Sequence, residues 1–404
     1  MGVFYFTEGI IPSQQPGFFQ STPLVATLDG FLTPSATLSN PFPEGVLQPV
    51  GNALGLDTFL GQSVNFYNPN VGGSYSVRWS MTVQQALNPN LMLEVGYLGN
   101  RAIRLTGDRG LNWVPGNLFS TRPVRDQPVI DRLTANVANP FQGLLPGTNL
   151  NGSTVQLQQL ARGFPQFIGD SGVTMGSDNF GSSCFHSLQA RLERRLARGF
   201  SYMVNYQFSR LIERRSYLNP FDTAPEKRIA NEDRPQRLVA SGLLELPFGA
   251  GRALASNSGA LNRVIGGWMV SGSYTYAQEA PLTWGNVIYN GGALNYDGRN
   301  VDAAFDTSRF NTVPAQQLLW NIRGFPSRFN TYRRDATNNF DISILKNTQL
   351  RESVRLQFRA EFFNALNHVN FDMPQASPTN SNFGRITRQY NLPRTTQLAL
   401  RLIW

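Results

Sequence analysis

The chain has 404 residues and a formal net charge of +9, long enough for several soluble domains or for one large β structure. Its basicity is almost wholly arginine, since Lys227 and Lys346 are the only lysines and neither Lys nor Arg precedes Arg78. No basic tract interleaves with aromatics and no zinc or RNA-binding spacing occurs, which excludes the usual nucleic-acid modules; Cys184 stands alone, which excludes an internal disulfide.

The opening "MGVFYFTEGIIPSQQPG" has no basic n-region, and its apolar run is too short for a secretory leader. No apolar stretch reaches the roughly 18 residues of a transmembrane helix. If the protein is exported, its leader is expected upstream of Met1.

Alternation with period two, rather than helical spacing, recurs along the chain. A short strand is expected around Val3–Phe6. Val77, Trp79, Met81 and Val83 then lead to "NPN" at Asn88–Asn90, and Leu91, Leu93, Val95 and Tyr97 return. The clearest hairpin runs from Ser187 to Arg210, turning at Gly199, with Leu188, Ala190 and Leu192 answered by Val204, Tyr206 and Phe208. Only Arg194 breaks its apolar parity, close to the turn, where an outward Arg costs roughly 0–1 kcal/mol in a membrane strand. Leu238 to Leu246 and Trp268 to Tyr276 form a further pair. Phe340, Ile342 and Ile344 run to a turn at "KNTQL", and Val354 to Phe362 follow. The chain closes on "RTTQLALRLIW", with Leu398, Leu400, Leu402 and Trp404 on one parity and Gln397, Ala399 and Arg401 on the other. About ten strands result.

The connections sort by length. Those near Asn88, Arg198, Gly249 and Gln349 are short or moderate, and they alternate with long ones at roughly 8–74, 106–185, 211–235, 278–338 and 365–393, rich in Gly, Pro, Asn and Ser. Loops of that length without structure of their own argue against a compact soluble domain. A soluble sandwich or propeller also has spaced strands, but a propeller shows a fixed repeat, and none is present. The pattern predicts an all-β fold: an antiparallel transmembrane β-barrel portion with short periplasmic turns and long extracellular loops. The first strand is short enough to leave an edge that lipid would not tolerate, so residues 1–404 are expected to form the C-terminal part of a larger barrel.

Parity assigns the faces. Arg191, Glu193, Arg355, Arg359, Glu361 and Arg401 are expected on the lumen side. Either they pair with one another or with a plug, or they make a basic lumen that favours anionic cargo. Trp79, Tyr97, Tyr202, Trp268 and Trp404 are expected as interface anchors. Cys184 and His186 in "SCFH" lack the further ligands of a zinc site and are read as a loop-to-strand boundary. "NYDGRNVD" (Asn295–Asp302) spaces oxygen ligands as a calcium loop would but lacks the closing bidentate Glu, so an ordinary turn is expected. No metal, no cofactor and no catalytic constellation are expected.

The stretches "SVRWSMTVQQALNPNLMLEVGYLGNRAIRL", "SLQARLERRLARGFSYMVNYQFSRL", "DRPQRLVASGLLELPFGAGR", "NNFDISILKNTQL", "RLQFRAEFFNALNHVNFDMP" and "NFGRIT", in this order over residues 75 to 404, resemble the C-terminal barrel half of TonB-dependent receptors, in particular the Oar-type receptors of acidobacteria. The resemblance implies an outer-membrane transporter of 22 strands with a plugged lumen, energised by TonB in the periplasm and importing a bulky ligand. It also implies that "LALRLIW", with Leu398, Leu400, Leu402 and Trp404, addresses the chain to the barrel-assembly machinery. Plug, TonB-contacting segment and about half the strands are not among these residues. The partners expected are therefore outer-membrane lipid, the missing N-terminal plug and barrel half, and TonB through that missing segment. A different expectation for the same residues is a non-transporting structural or adhesive surface protein that binds through its long loops.

Overall fold

The computed structural model describes residues 1–6, 16–249, 254, 259–351 and 353–404. Ten strands form one antiparallel sheet in which neighbours in the chain are neighbours in space: β1 (Gly2–Phe6), β2 (Ser74–Asn88), β3 (Leu91–Gly110), β4 (Val173–Ala197), β5 (Phe200–Arg214), β6 (Gln236–Glu245), β7 (Trp268–Ala277), β8 (Thr337–Arg351), β9 (Val354–Phe363) and β10 (Thr395–Ile403). Among the described residues β1 pairs only with β2 and β10 only with β9, so the sheet is open. Val64–Tyr67 adds a parallel piece beside β4, and Arg228–Ile229 an antiparallel piece beside β5.

Because each strand reverses the last, alternate connections leave opposite ends of the sheet. Those at 89–90, 198–199, 246–267 and 352–353 leave one end; those at 7–73, 111–172, 215–235, 278–336 and 364–394 leave the other. The tightest have local causes. Arg198 and Gly199 both take positive φ, 56° and 77°, as a two-residue type I′ hairpin requires. At the β2–β3 turn the Asn88 side chain accepts the Asn90 N–H at 3.0 Å, an Asx-type closure.

Side chains opposite one another across an antiparallel pair share a face, and the register makes the two faces chemically distinct. One row reads Gln84, Glu94, Arg191, Asn205, Val239, Thr275 and Asn339. The adjacent row on the opposite face reads Val83, Val95, Ala190, Tyr206, Leu238, Tyr276 and Asn338. The apolar face covers about nine residues per strand. At an assumed tilt near 40° and about 3.3 Å per residue, it makes a band close to the roughly 25 Å of an outer-membrane barrel. A concavity of about 650 Å³ lies on the polar face, floored by Glu193, Ser201, Ser241, Ser271, Asp341 and Glu361 from six adjacent strands. The sheet therefore curls toward its polar side.

Several boundaries differ from the sequence reading. β3 and β4 have 20 and 25 residues, far more than the roughly 9–11 of a membrane crossing, so the connection expected at 106–185 is only 111–172. Cys184 and His186 lie within β4 on the apolar face rather than at its start. The "KNTQL" turn is strand as well: β8 runs to Arg351, which pairs with Val354 of β9. From Lys346 to Gln349 both faces are polar, so the period-two signal vanishes while the ladder continues.

The larger correction concerns the long connections, read as structureless. They carry a helix (Gln127–Thr134), small strand pairs (Asn136–Ala138 with Thr154–Gln156; Pro281–Thr283 with Arg328–Arg333) and an aromatic core. Trp284 is 1% exposed and stacks on Phe310 at 5.2 Å, with Phe305, Phe325 and Phe383 around them. The hydrophobic core thus sits in the lobe, not in the sheet. An open sheet with one lipid face and one polar face has nothing apolar to bury against itself.

Candidate lumen wall and folded lobe

The six polar residues expected to share a face do so. Arg191 stands opposite Glu94 and Asn205, Glu193 opposite Met92 and Met203, Arg359 opposite Leu345 and Ala399, and Arg401 opposite Gln357. Arg355 lies opposite Gln349, and Glu361 opposite Ser343 and Gln397. Arg191 forms an ion pair with Glu193 two residues along its strand, and Arg359 repeats the device with Glu361 at 3.5 Å. Gln357 donates to Asn347 at 3.0 Å. At the registered positions the polar face carries Arg78, Arg191, Arg237, Arg355, Arg359 and Arg401 against Glu94, Glu193, Glu213, Glu245, Asp341 and Glu361. Arg195 shares this parity and lines the same concavity, and Arg109 pairs with Asp178 beyond the strand bulges, so the wall carries both signs in near balance rather than a strong basic field. Of the two readings, the arrangement agrees with pairing.

The aromatic residues named from the sequence all lie on the apolar face and sort to its two borders. Tyr202, opposite Arg194, and Trp268, opposite Lys346, stand at the end with short connections. The Lys346 ammonium sits over the Trp268 ring at 5.2 Å and donates to the carbonyls of Arg263 and Gly266. Trp79 and Tyr97 mark the other border, beside His186 at ring distances of 6.1 Å each. The Tyr97 hydroxyl lies 2.6 Å from His186 Nδ1, and Cys184 Sγ lies 3.1 Å from Nε2. Leu398, Leu400 and Leu402 project from the same face of β10, all exposed, and Trp404 beyond them is 88% exposed.

The lobe is fastened to the sheet by a charged seam that sequence reasoning missed. Asp233, 1% exposed at its side chain, pairs with Arg333 at 2.6 Å and accepts the Leu211 N–H of β5. Burial lowers the Arg333 pKa and the Asp233 carboxylate opposes that shift, so the guanidinium stays charged and matched. Glu213 of β5 takes Arg228 and Arg328 at 2.9 Å each. Glu279 takes Arg334 at 2.7 Å and the Thr337 hydroxyl at 2.8 Å, and the Arg334 guanidinium caps the Tyr390 ring at 3.9 Å. Alternation scans do not register such residues, because the arginines lie outside the ten long strands. The available signal was the density of charge in "IANEDRPQRL" and "RFNTYRRD".

The other lobe motif is a turn. Asp297 accepts the Arg299 N–H at 2.9 Å and Asp302 pairs with Arg385 at 3.2 Å. Inside it, the Tyr296 hydroxyl donates to the Arg333 carbonyl at 2.5 Å, and burial, then Asp335 and Asp297, push its pKa upward.

With the fold and faces established, the chain matches a family model described as an outer membrane beta barrel domain over residues 1–397. No curated protein matches it in sequence. Among solved structures it is similar to the outer membrane transporter YddB of Escherichia coli (9% identity, TM-score 0.42, covering 85% of this chain and 34% of that one). It is also similar to the FrpB iron transporter of Neisseria meningitidis, F3-3 variant (10%, 0.36, 84% and 33%). A third is FpvA of P. aeruginosa, bound to heterologous pyoverdines (8%, 0.35, 82% and 27%). The chain spans about a third or less of the length of each.

Proposed function

The chain belongs to the outer membrane beta barrel domain family and resides in the outer membrane; on that premise we propose that it forms the C-terminal barrel portion of a TonB-dependent receptor, of the Oar-like type, that imports a bulky ligand. The observation that carries this reading is the open, ten-stranded meander whose curled inner face is polar, nearly charge-balanced and laid bare. A polar wall without a strong net field suits close packing against a protein plug better than it suits an ion-selective pore. On this reading the remaining strands and plug complete the lumen, TonB acts through them, and the lobe on the long connections faces the outside and meets the ligand. Leu398, Leu400, Leu402 and Trp404 address the barrel-assembly machinery, and no catalytic step is assigned.

The lobe's own core favours one second reading, an adhesive surface protein without transport, since a prefolded platform binds whether or not the barrel conducts. Site-specific cross-linking to TonB in intact cells separates the two. Import predicts an adduct between TonB and the full-length product that increases in media containing the ligand; no adduct in any medium leaves adhesion.

A further inference from the structure

A cationic patch lies on the outward face where β3, β4 and β5 emerge from the apolar band. Register places Arg101 opposite Cys184, and Cys184 opposite Ile212. One step toward the band, Gly99, His186 and Arg210 align; one step away, Ile103, Ser182 and Arg214 do. Arg101, Arg210 and Arg214 therefore surround His186 and Ser182 on one surface. All three arginines are exposed, and among the described residues none has an ion-pair or side-chain hydrogen-bond partner. Glu213, the carboxylate beside Arg214 in β5, projects from the opposite face and is already held by Arg228 and Arg328, as Asp233 is by Arg333. Directly below stand Tyr97, Leu188 and Phe208, one row of the apolar face. Arg210 is two residues beyond Phe208, about 7 Å along the strand, which is headgroup depth rather than bulk water.

We propose that this patch is a binding site for the phosphate groups of an outer-leaflet lipid, whose acyl chains lie along Tyr97, Leu188 and Phe208. Guanidinium forks match phosphate oxygens in a way that a point charge does not. The band beneath supplies apolar contact for the same molecule, which argues for a lipid over a free anion. The inference rests on the reading that the long connections face outward from the cell.

The test uses the full-length protein extracted from outer membranes in mild detergent, with co-purifying lipid A measured by mass spectrometry and phosphorus content. Neutralising a basic residue near a lipid surface weakens binding roughly fivefold, so Arg101→Gln/Arg210→Gln/Arg214→Gln should lose about a hundredfold in lipid A affinity. Arg101→Gln alone, at an exposed and unpaired position, should lose about fivefold and keep its fold. Thermal unfolding of delipidated wild type should shift upward with bisphosphorylated lipid A and stay unchanged with the dephosphorylated lipid. Unchanged retention in both variants, or equal shifts from the two lipids, overturns the site. An equal shift from inorganic phosphate alone overturns the lipid as its ligand. Labelling of Thr312→Cys in a Cys184→Ser background, in intact cells by an impermeant maleimide, reads orientation separately. Labelling without lipid A retention overturns the patch, and absence of labelling overturns the orientation beneath it.

Discussion

Leu400 and Ala399 are adjacent in β10 and belong to different environments. Leu400 projects from the apolar face opposite Phe358 and is 69% exposed, whereas Ala399 stands opposite Arg359 on the polar face. Leu400→Arg should cost roughly 2–4 kcal/mol if the position lies near mid-bilayer, and Ala399→Arg far less. Refolding both variants of the full-length protein into lipid vesicles and titrating urea compares them; equal losses would show that the faces are assigned wrongly. A second residue pair tests the seam. Asp233→Ala strands the buried Arg333 guanidinium, and removing one partner of such a pair costs about 3–5 kcal/mol. The loss should appear as faster proteolysis of 278–336, with the β8–β10 ladders still protected. Protease resistance equal to wild type would leave the Asp233–Arg333 pair without a fastening role.

At the scale of elements, Trp79 and Gly99 make a cross-strand pair in which the indole lies flat on the glycine, so an added Cβ would collide with the ring. An aromatic covering a strand glycine stabilises a curved sheet. Gly99→Ala should therefore displace Trp79 from the band border at a cost of about 1–3 kcal/mol. Depth-dependent quenching of Trp79, its emission isolated as the difference from Trp79→Phe, reads that displacement, and an unmoved ring would remove the pair from the account. Elements of this kind divide what the sequence makes legible from what it does not. Strand existence and faces were legible because the bilayer and the lumen impose opposite polarity on successive residues, and the Arg198–Gly199 turn because only residues tolerant of positive φ fit it. Strand ends were not, since past Arg101, His186 and Ile344 the chain leaves lipid and the alternation loses its cause while the hydrogen-bond ladder continues. The lobe was illegible for a related reason: Trp284, Phe305, Phe310 and Phe383 come together from two connections, and no local period announces a core assembled over such separations. The seam arginines share that fate, their partners lying as much as 115 residues away.

For the whole molecule the decisive feature is the pair of uncovered edges. β1 covers β2 only from Ser74 to Arg78, so among the described residues alternate amides and carbonyls from Trp79 to Asn88 have no strand beside them. Among the same residues the far side of β10 is uncovered as well, with β9 its partner. Backbone groups left unpaired in hydrocarbon cost several kcal/mol each, more than the sheet recovers by inserting its apolar face alone. Residues 1–404 expressed by themselves should therefore fail to insert as a monomer. Hydrogen exchange on the detergent-solubilised chain should be fast at Met81–Leu87 and at Leu398–Leu402, against slow exchange in β5 and β6 at the centre of the sheet. On the proposed reading, in which further strands complete the barrel, both edges should become as protected as that centre in the full-length protein. If the isolated chain instead inserts and protects both edges as a monomer, β1 and β10 have met, the ten strands close on themselves, and the larger barrel is not needed.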